Sequence, residues 1–325
     1  MTDWPTPDER LKIGTRGSPL ALAQAYETRN RLMVAHDLPE TAFEIVPIKT
    51  TGDRIQDRSL QASGGKGLFT REIEDALLEK DIDIAVHSMK DMPVLQPDGL
   101  VIDCYLPRED TRDAFISPHF GSVSDLPSGA VVGSSSMRRR AQLAHVRPDL
   151  KLVEFRGNLQ TRMQKLADGV AQATFLAMAG LNRLNMHDVV RMAIAPEEML
   201  PAIAQGAIGV ERRRDDICIG NLLLAIADGD TFLRITAERA FLAALDGSCE
   251  TPIAALAELN GERLHLRGEI LLPDGSQRFT GFREGAAHDG EAMGRDLAAE
   301  LLTRAPHNFL ELIGGNTPRN KPPAG

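Results

Sequence analysis

The segment Val132-Gly133-Ser134-Ser135-Ser136-Met137-Arg138-Arg139-Arg140 ends a short apolar strand in small hydroxyl residues and opens a helix on consecutive arginines. Free backbone N–H groups at a helix start favour an anion. Guanidinium forks beside them add bidentate, charge-assisted bonds to carboxylates or phosphates that lysine cannot reproduce. Phe155 to Arg162 repeats the plan, with Asn158 as the N-cap and Arg162 one turn into the next helix. Arginines at helix starts oppose the helix dipole, which makes sense if an anion meets them; the alternative is a solvated basic face. Farther upstream, the strand Ile82–Val86 runs into His87-Ser88-Met89-Lys90-Asp91-Met92-Pro93, a change from apolar to titratable within one residue. At a strand's carboxyl end Asp91 is suited to balancing developing positive charge and Lys90 to binding a carboxylate. A helix cap and a surface lysine are the alternatives. His87 lacks zinc-ligand spacing and reads as a structural histidine, with no metal site implied.

The elements that must position these groups follow from periodicity. Strands are predicted at Leu11–Thr15, Phe43–Ile48, Ile82–Val86, Val131–Gly133, Lys151–Phe155 and Ala173–Leu176, with extended segments at Leu100–Leu106 and Asp113–Ile116. Helices are predicted at Pro19–Val34 and Thr70–Glu79, and from about Ser136, Asn158 and Ala177. Alternating β and α elements imply parallel sheets with ligands at the carboxyl ends of the strands. Breaks fall near Pro107–Asp110 and Pro196–Gly206. Beyond Asp215 the pattern changes to two helices, about Ile217–Ala227 and Thr231–Leu245. Three extended segments follow, at Ile253–Glu258, Arg263–Leu272 and Gln277–Glu284, the last two joined by the turn Pro273-Asp274-Gly275-Ser276. A helix over Asp289–Thr303 completes a separate α+β domain. The polar stretch 51–67 is long enough for a functional loop and predicts a mobile lid carrying Lys66. Its Gly64-Gly65-Lys66-Gly67 is not a P-loop, because the spacing is absent and glycine occupies the hydroxyl position.

Charge narrows the ligand class. With 37 Lys+Arg against 46 Asp+Glu the net charge is −9, unsuited to nonspecific nucleic-acid binding. A concentrated basic site in an acidic chain points to a small polyanion in a cleft. No apolar run reaches the roughly 18 residues of a spanning helix, and Met1–Arg10 lacks a signal peptide's apolar core. A cytoplasmic protein without a membrane partner is expected. Cys104, Cys218 and Cys249 cannot form a fully paired disulfide framework.

From about Leu11 to Leu312 the chain resembles the porphobilinogen deaminase, or hydroxymethylbilane synthase, family. The resemblance is carried by Gly14-Thr15-Arg16-Gly17-Ser18-Pro19-Leu20-Ala21, Gly64-Gly65-Lys66-Gly67-Leu68-Phe69 and Val86-His87-Ser88-Met89-Lys90-Asp91. Val132 to Arg139, Arg156-Gly157-Asn158 with Thr161-Arg162, and Ala179-Gly180-Leu181-Asn182-Arg183-Leu184 continue it. Pro201 to Gly209 and Gly247-Ser248-Cys249 complete it.

The resemblance implies a transferase of tetrapyrrole synthesis that joins four porphobilinogen molecules head to tail and releases ammonia at each step. The product is linear hydroxymethylbilane, built on a covalent dipyrromethane cofactor, and the enzyme is expected to be a monomer. It implies two periplasmic-binding-protein-like α/β lobes with parallel-rich mixed sheets, 1–106 with 207–224 and 112–200. A C-terminal α+β domain with a small antiparallel sheet, 229–325, would carry the cofactor. By the same resemblance Cys249 holds the cofactor through a thioether, and Ser88, Lys90, Ser135, Ser136, Arg138 and Arg139 bind it. Arg16, Ser18, Arg156, Arg162, Arg183 and Gln205 serve substrate and the lengthening chain, and Asp91 is catalytic, stabilising the azafulvenium cation left when ammonia departs. Arg140 is left to the surface. Ala62 and Asn182 stand where many members have lysine, so those contacts are not carried over. A two-lobed, non-catalytic binding protein for a carboxylated ligand is the alternative, since fold alone does not fix function; Cys249 on a third domain weighs against it. A phosphate-binding enzyme is less favoured because no nucleotide motif appears.

Overall fold

Short apolar strands alternating with helices form three sheets in a computed structural model that describes residues 4–54, 70–248 and 251–314. The first sheet contains β1 (Leu11–Arg16), β2 (Phe43–Ile48), β3 (Ile84–Ser88), β4 (Leu100–Tyr105) and β10 (Ile208–Arg213), in the order β2-β1-β3-β10-β4. β1 is parallel to β2 and β3, while β10 is antiparallel to both of its neighbours. Around it lie α1 (Pro19–His36), the short α2 (Thr51–Arg54), α3 (Arg71–Leu78) and α7 (Ile217–Leu224). Ile84 and Val86 pack with Ala25 and Leu32 of α1 and Leu223 of α7, whereas Ala85 packs with Ile73 and Leu77 of α3. Burial on both faces explains why Ile84-Ala85-Val86 of β3 reads as an unbroken apolar run.

The second sheet has the order β7-β6-β8-β5-β9. It is built from β5 (Asp113–Ile116), β6 (Val131–Gly133), β7 (Lys151–Val153), β8 (Ala173–Ala177) and the two-residue β9 (Met192–Ala193). β6 is parallel to β7 and β8, and β5 is antiparallel to β8 and β9. Its helices are α4 (Met137–Val146), α5 (Leu159–Ala167) and α6 (Met178–Arg183). The third sheet is the antiparallel meander β11 (Ile253–Asn260), β12 (Arg263–Leu271) and β13 (Arg278–Ala286). It packs on α8 (Gly229–Ala244) and α9 (Gly290–Arg304), and α10 (Phe309–Leu312) follows. At the α8–α9 crossing a Cβ on Gly294 would lie 2.4 Å from the Ala237 carbonyl oxygen, so glycine lets the two backbones touch. Two lobes with parallel-rich mixed sheets and a small antiparallel C-terminal unit are thus the fold. No helix among the described residues is long and apolar enough to cross a membrane.

Periodicity differs from the structure where tertiary contacts intervene. β7 ends at Val153, and Phe155, expected in the strand, is buried with its amide bonded to Ser135 Oγ at 3.1 Å. β10 carries no alternating pattern of its own because it is inserted between β3 and β4 and buried from Ile208 to Glu211.

The chain passes from the first sheet to the second and back, and the two crossing segments are bonded to each other. Glu109 N–H donates to the Gly206 carbonyl at 3.2 Å. Gly206 has φ +89°, and a Cβ there would sit 2.4 Å from Glu109 O. Arg108 closes the junction. Its fork donates to both carboxylate oxygens of Glu238 on α8, at 2.6 and 3.0 Å, and its Nε to Gln205 O at 2.9 Å. Glu238 also accepts from the Ala204 and Ala257 amides, and both partners are buried. Removing one partner of such a pair strands the other. Glu238→Ala should therefore destabilise the protein by about 3–5 kcal/mol in urea unfolding; a loss below about 1 kcal/mol, the level of an exposed pair, would contradict this reading.

Candidate active site

Strand ends build the cleft. β3 ends at Ser88 and turns at once through Met89–Asp91, so Lys90 and Asp91 face the same space as the loops after β1 and β6 and the starts of α4 and α5. That space is a cleft of about 1060 Å³. Arg16, Ser18, Lys90, Asp91, Ser135 and Ser136 line it, as do Arg138, Arg139, Arg156, Arg162 and Gln205. Residues widely separated in the chain therefore meet in one concavity.

Local chemistry explains the helix starts. Ser18 Oγ accepts from Ala21 N at 3.3 Å, Ser136 Oγ from Arg139 N at 3.5 Å, and Asn158 Oδ1 from Thr161 N at 2.9 Å. Each satisfies an otherwise orphaned donor, and the serine hydroxyls keep their O–H free to donate to a ligand.

Arg138 and Arg139 are held from below by a residue that local pattern does not reveal. Asp113, at the start of β5, accepts from Arg138 at 2.8 Å and Arg139 at 2.7 Å, and from Gln205 Nε2 at 2.9 Å. Burial alone would raise its carboxyl, but the two guanidiniums outweigh that and hold it well below the usual aspartate range. Arg138 also reaches Gln142 and the Leu200 carbonyl, and Arg139 the Phe175 carbonyl. The Nε atoms of both arginines are buried with no hydrogen-bond partner among the described residues. Two oriented donors at the wall of a roomy cationic cleft suit the carboxylates of a dipyrromethane, so the residues fit that group.

Lys90 is only partly exposed. Burial lowers its ammonium pKa, the neighbouring Arg139 and Arg138 lower it further, and Asp91 and Asp113 oppose them. Arg162 is lowered to about 10, by burial first and then by Arg139, with Asp91 opposing. Its Nε donates to Gly157 O at 2.9 Å. Arg156 lies against Glu154 at 2.6 Å. Arg140, expected at the surface, forms a longer 3.6 Å pair with the same glutamate.

Other expected residues sit elsewhere. Ser88 pairs with Gln24 at 2.8 Å and lines a small side pocket instead of the main cleft. Arg183 is turned away: its Nε donates to Glu27 on α1 at 3.0 Å and its Nη2 to Gly206 O at 3.2 Å, bridging α6 to the first lobe. Asn182 donates to Glu109 at 3.1 Å. Cys249 and Lys66 lie outside the described residues, although Ser248 and Thr251, on either side of 249–250, both line the cleft. Periodicity also missed Arg239 of α8. It lines the cleft, donates to the Pro93 and Val94 carbonyls, and is lowered chiefly by burial.

Comparison with known proteins bears on all of this. Residues 11–220 match the family described as "Porphobilinogen deaminase, dipyromethane cofactor binding domain", and residues 232–303 match "Porphobilinogen deaminase, C-terminal domain". A protein named porphobilinogen deaminase from Paracoccus denitrificans (strain Pd 1222) is 70% identical over 311 residues, covering 96% of this chain and 99% of that one. One of the same name from Nitrobacter winogradskyi is 52% identical over 303 residues, covering 93% and 96%. Among solved structures, a nutrient binding protein from Burkholderia cenocepacia bound to methionine is 14% identical. Its match covers 68% of this chain and 93% of that one, with a TM-score of 0.42.

The Asp113 bridge generates a pH-dependent expectation. A carboxylate held low in the native state contributes stability that is full above the ordinary aspartate pKa and lost as pH falls through the native value. Asp113→Asn should therefore cost about 3–5 kcal/mol near neutral pH, by leaving two guanidiniums without a counter-charge. The difference from wild type in urea unfolding should shrink as the pH is lowered. A difference independent of pH would mean that the carboxylate's charge is not what matters.

Proposed function

The chain belongs to the porphobilinogen deaminase family, and from that premise we propose that its cleft holds substrate carboxylates on arginines while Asp91 stabilises the charge that the reaction creates. It is a hydroxymethylbilane synthase, a transferase of tetrapyrrole biosynthesis. Four porphobilinogen molecules are condensed head to tail, with release of ammonia, on a dipyrromethane cofactor. Bound, that group supplies the pyrrole carbon on which the chain grows. We assign its attachment to Cys249, and its carboxylates to Arg138, Arg139, Ser135 and Ser136, with Lys90 assisting. Arg16, Ser18, Arg156, Arg162 and Gln205 serve the incoming and lengthening chain. Arg183 reaches that chain only if it leaves Glu27.

The observation that carries this reading is the setting of Asp91, an acidic group in a cleft otherwise dominated by cations. The arginines fix substrate carboxylates and orient the ring. Asp91 accepts the pyrrole N–H and faces the cation that forms as the aminomethyl C–N bond breaks, a stabilisation stronger in the transition state than in the ground state. We divide the chain into lobes 1–106 with 207–224 and 112–200, and a cofactor-bearing domain 229–325, working as a cytoplasmic monomer. The acidic net charge supports a small-molecule partner over nucleic acid.

Two outcomes test the assignments. Asp91→Asn keeps the size and one hydrogen-bond acceptor but removes the negative charge. Supplied with preformed primer, it should retain the covalent adduct and a near-normal melting temperature while ammonia release from porphobilinogen falls at least about a hundredfold; turnover within a few-fold of wild type removes Asp91 from the mechanism. Cys249→Ser should fold, lack the added mass of two linked pyrroles in denaturing mass spectrometry and be nearly inactive, while Cys104→Ala and Cys218→Ala keep the mass. An adduct on the Cys249→Ser protein would move the attachment point.

A further inference from the structure

Behind Asp91 the first lobe holds a cluster of titratable groups that the scheme above does not use. His87 Nε2 lies 2.9 Å from Glu211 Oε2, and both side chains are buried. The second oxygen of Glu211 is buried and has no hydrogen-bond partner among the described residues. Glu74, on α3, interacts electrostatically with both members of the pair. Its carboxyl sits above the ordinary glutamate value because burial disfavours its charge and Glu211 repels it, with His87 opposing. Arg239 of α8 acts on Glu211 from across the junction. Two carboxylates and an imidazole closed off from bulk water form an expensive arrangement, and a merely structural need would be met by a neutral hydrogen-bonded pair.

The cluster is connected to the active site. A side pocket of about 70 Å³ has Asp91 and His87 in its walls, with Arg16, Gln24, Thr70 and Ser88 also lining it. Polar walls and that volume suit a short file of water molecules.

We propose that His87, paired with Glu211, holds and returns the proton that each condensation passes through Asp91, with the side pocket as the path between them. The proposal rests on the role given to Asp91 above. In each round the C–N bond of the incoming aminomethyl group breaks with its electron pair on nitrogen, and a C–C bond forms to the α carbon of the accepting pyrrole. That carbon's C–H bond then breaks, its pair restoring the ring, and the proton passes to Asp91. Pocket water carries it to Nδ1 of His87, giving an imidazolium against the Glu211 carboxylate and leaving Asp91 anionic for the next round. The departing ammonia takes the proton back by the same path and leaves as ammonium. The cluster ends each round as it began. His87 is here a proton-holding residue acting through Asp91, where spacing had suggested only a structural histidine.

The test uses the holoenzyme of His87→Gln. Turnover should fall about a hundredfold, the low end of what a proton-transfer group contributes, with KM and the adduct mass unchanged. The solvent deuterium isotope effect on turnover should exceed that of wild type. Glu211→Gln, which keeps the acceptor and the shape, should move the isotope effect in the same direction. The His87 ring titration followed by ¹⁵N NMR should differ between the wild-type and Asp91→Asn holoenzymes, a readout independent of activity and available even if the His87 variant does not fold. A lowered melting temperature with unchanged turnover and isotope effect overturns the proposal, as does a His87 titration indifferent to Asp91. If Asp91→Asn is itself near wild type, the reading of Asp91 fails first. If Asp91→Asn is crippled while His87→Gln is not, only the relay fails.

Discussion

The buried Arg108–Glu238 pair is the constraint on which the rest is assembled, because it lies where the two crossing segments, α8 and β11 meet. From it a polar network runs without a break to the cleft. Gln205 accepts from Arg108 through its carbonyl and donates through its side chain to Asp113, which holds Arg138 and Arg139. Arg138 donates to Gln142, Gln142 to Glu269 on β12, and Glu269 accepts from Arg278 at 2.7 Å. The network thus begins and ends in the C-terminal unit, passing through the second lobe between. Buried polar groups tolerate partial satisfaction poorly, so each link fixes the geometry of the next. The arginines of the cleft are oriented before any ligand arrives, which limits the ordering cost of binding.

An acidic protein that gathers cations into one cleft gains selectivity from the contrast. Outside, the net charge of −9 repels polyanions such as nucleic acid. Inside, arginines remain charged even where burial lowers them, as Arg162 at about 10 illustrates, whereas Lys90 is the cation whose charge the site can most readily alter.

What was legible in the sequence was local. Ser136 and Asn158 announced helix starts because a cap and its partner are three residues apart, and β3 announced Asp91 because an apolar run stops there. Family motifs added the cofactor and the reaction. What was illegible depended on contacts far apart in the chain. Asp113 sits 25 and 26 residues from the arginines it holds, with no pattern linking them. β10 is buried on both faces between antiparallel neighbours, so it shows no alternation. Arg183 belongs to a recognisable motif, yet its partner Glu27 is 156 residues away and directs it out of the cleft. His87 read as structural because it lacks zinc-ligand spacing, and its partner Glu211 lies 124 residues on, in that same unannounced strand.

The arginines also fall into two mechanical classes. Arg138 and Arg139 are buried and tied to Asp113, so they cannot follow a moving ligand without breaking the network that holds the domains together. Arg156 rests on the exposed Glu154, and Arg162 on the backbone carbonyl of Gly157, contacts of the kind that exchange at little cost. A product that gains an acetate and a propionate with every ring outgrows a fixed set of cations. The buried pair therefore suits the part of the chain that stays, and the exchangeable arginines suit the part that advances. Arg183 belongs to neither class: its bonds to Glu27 on α1 and to the Gly206 carbonyl tie α6 to the lobe junction, so turning it into the cleft would break that bridge.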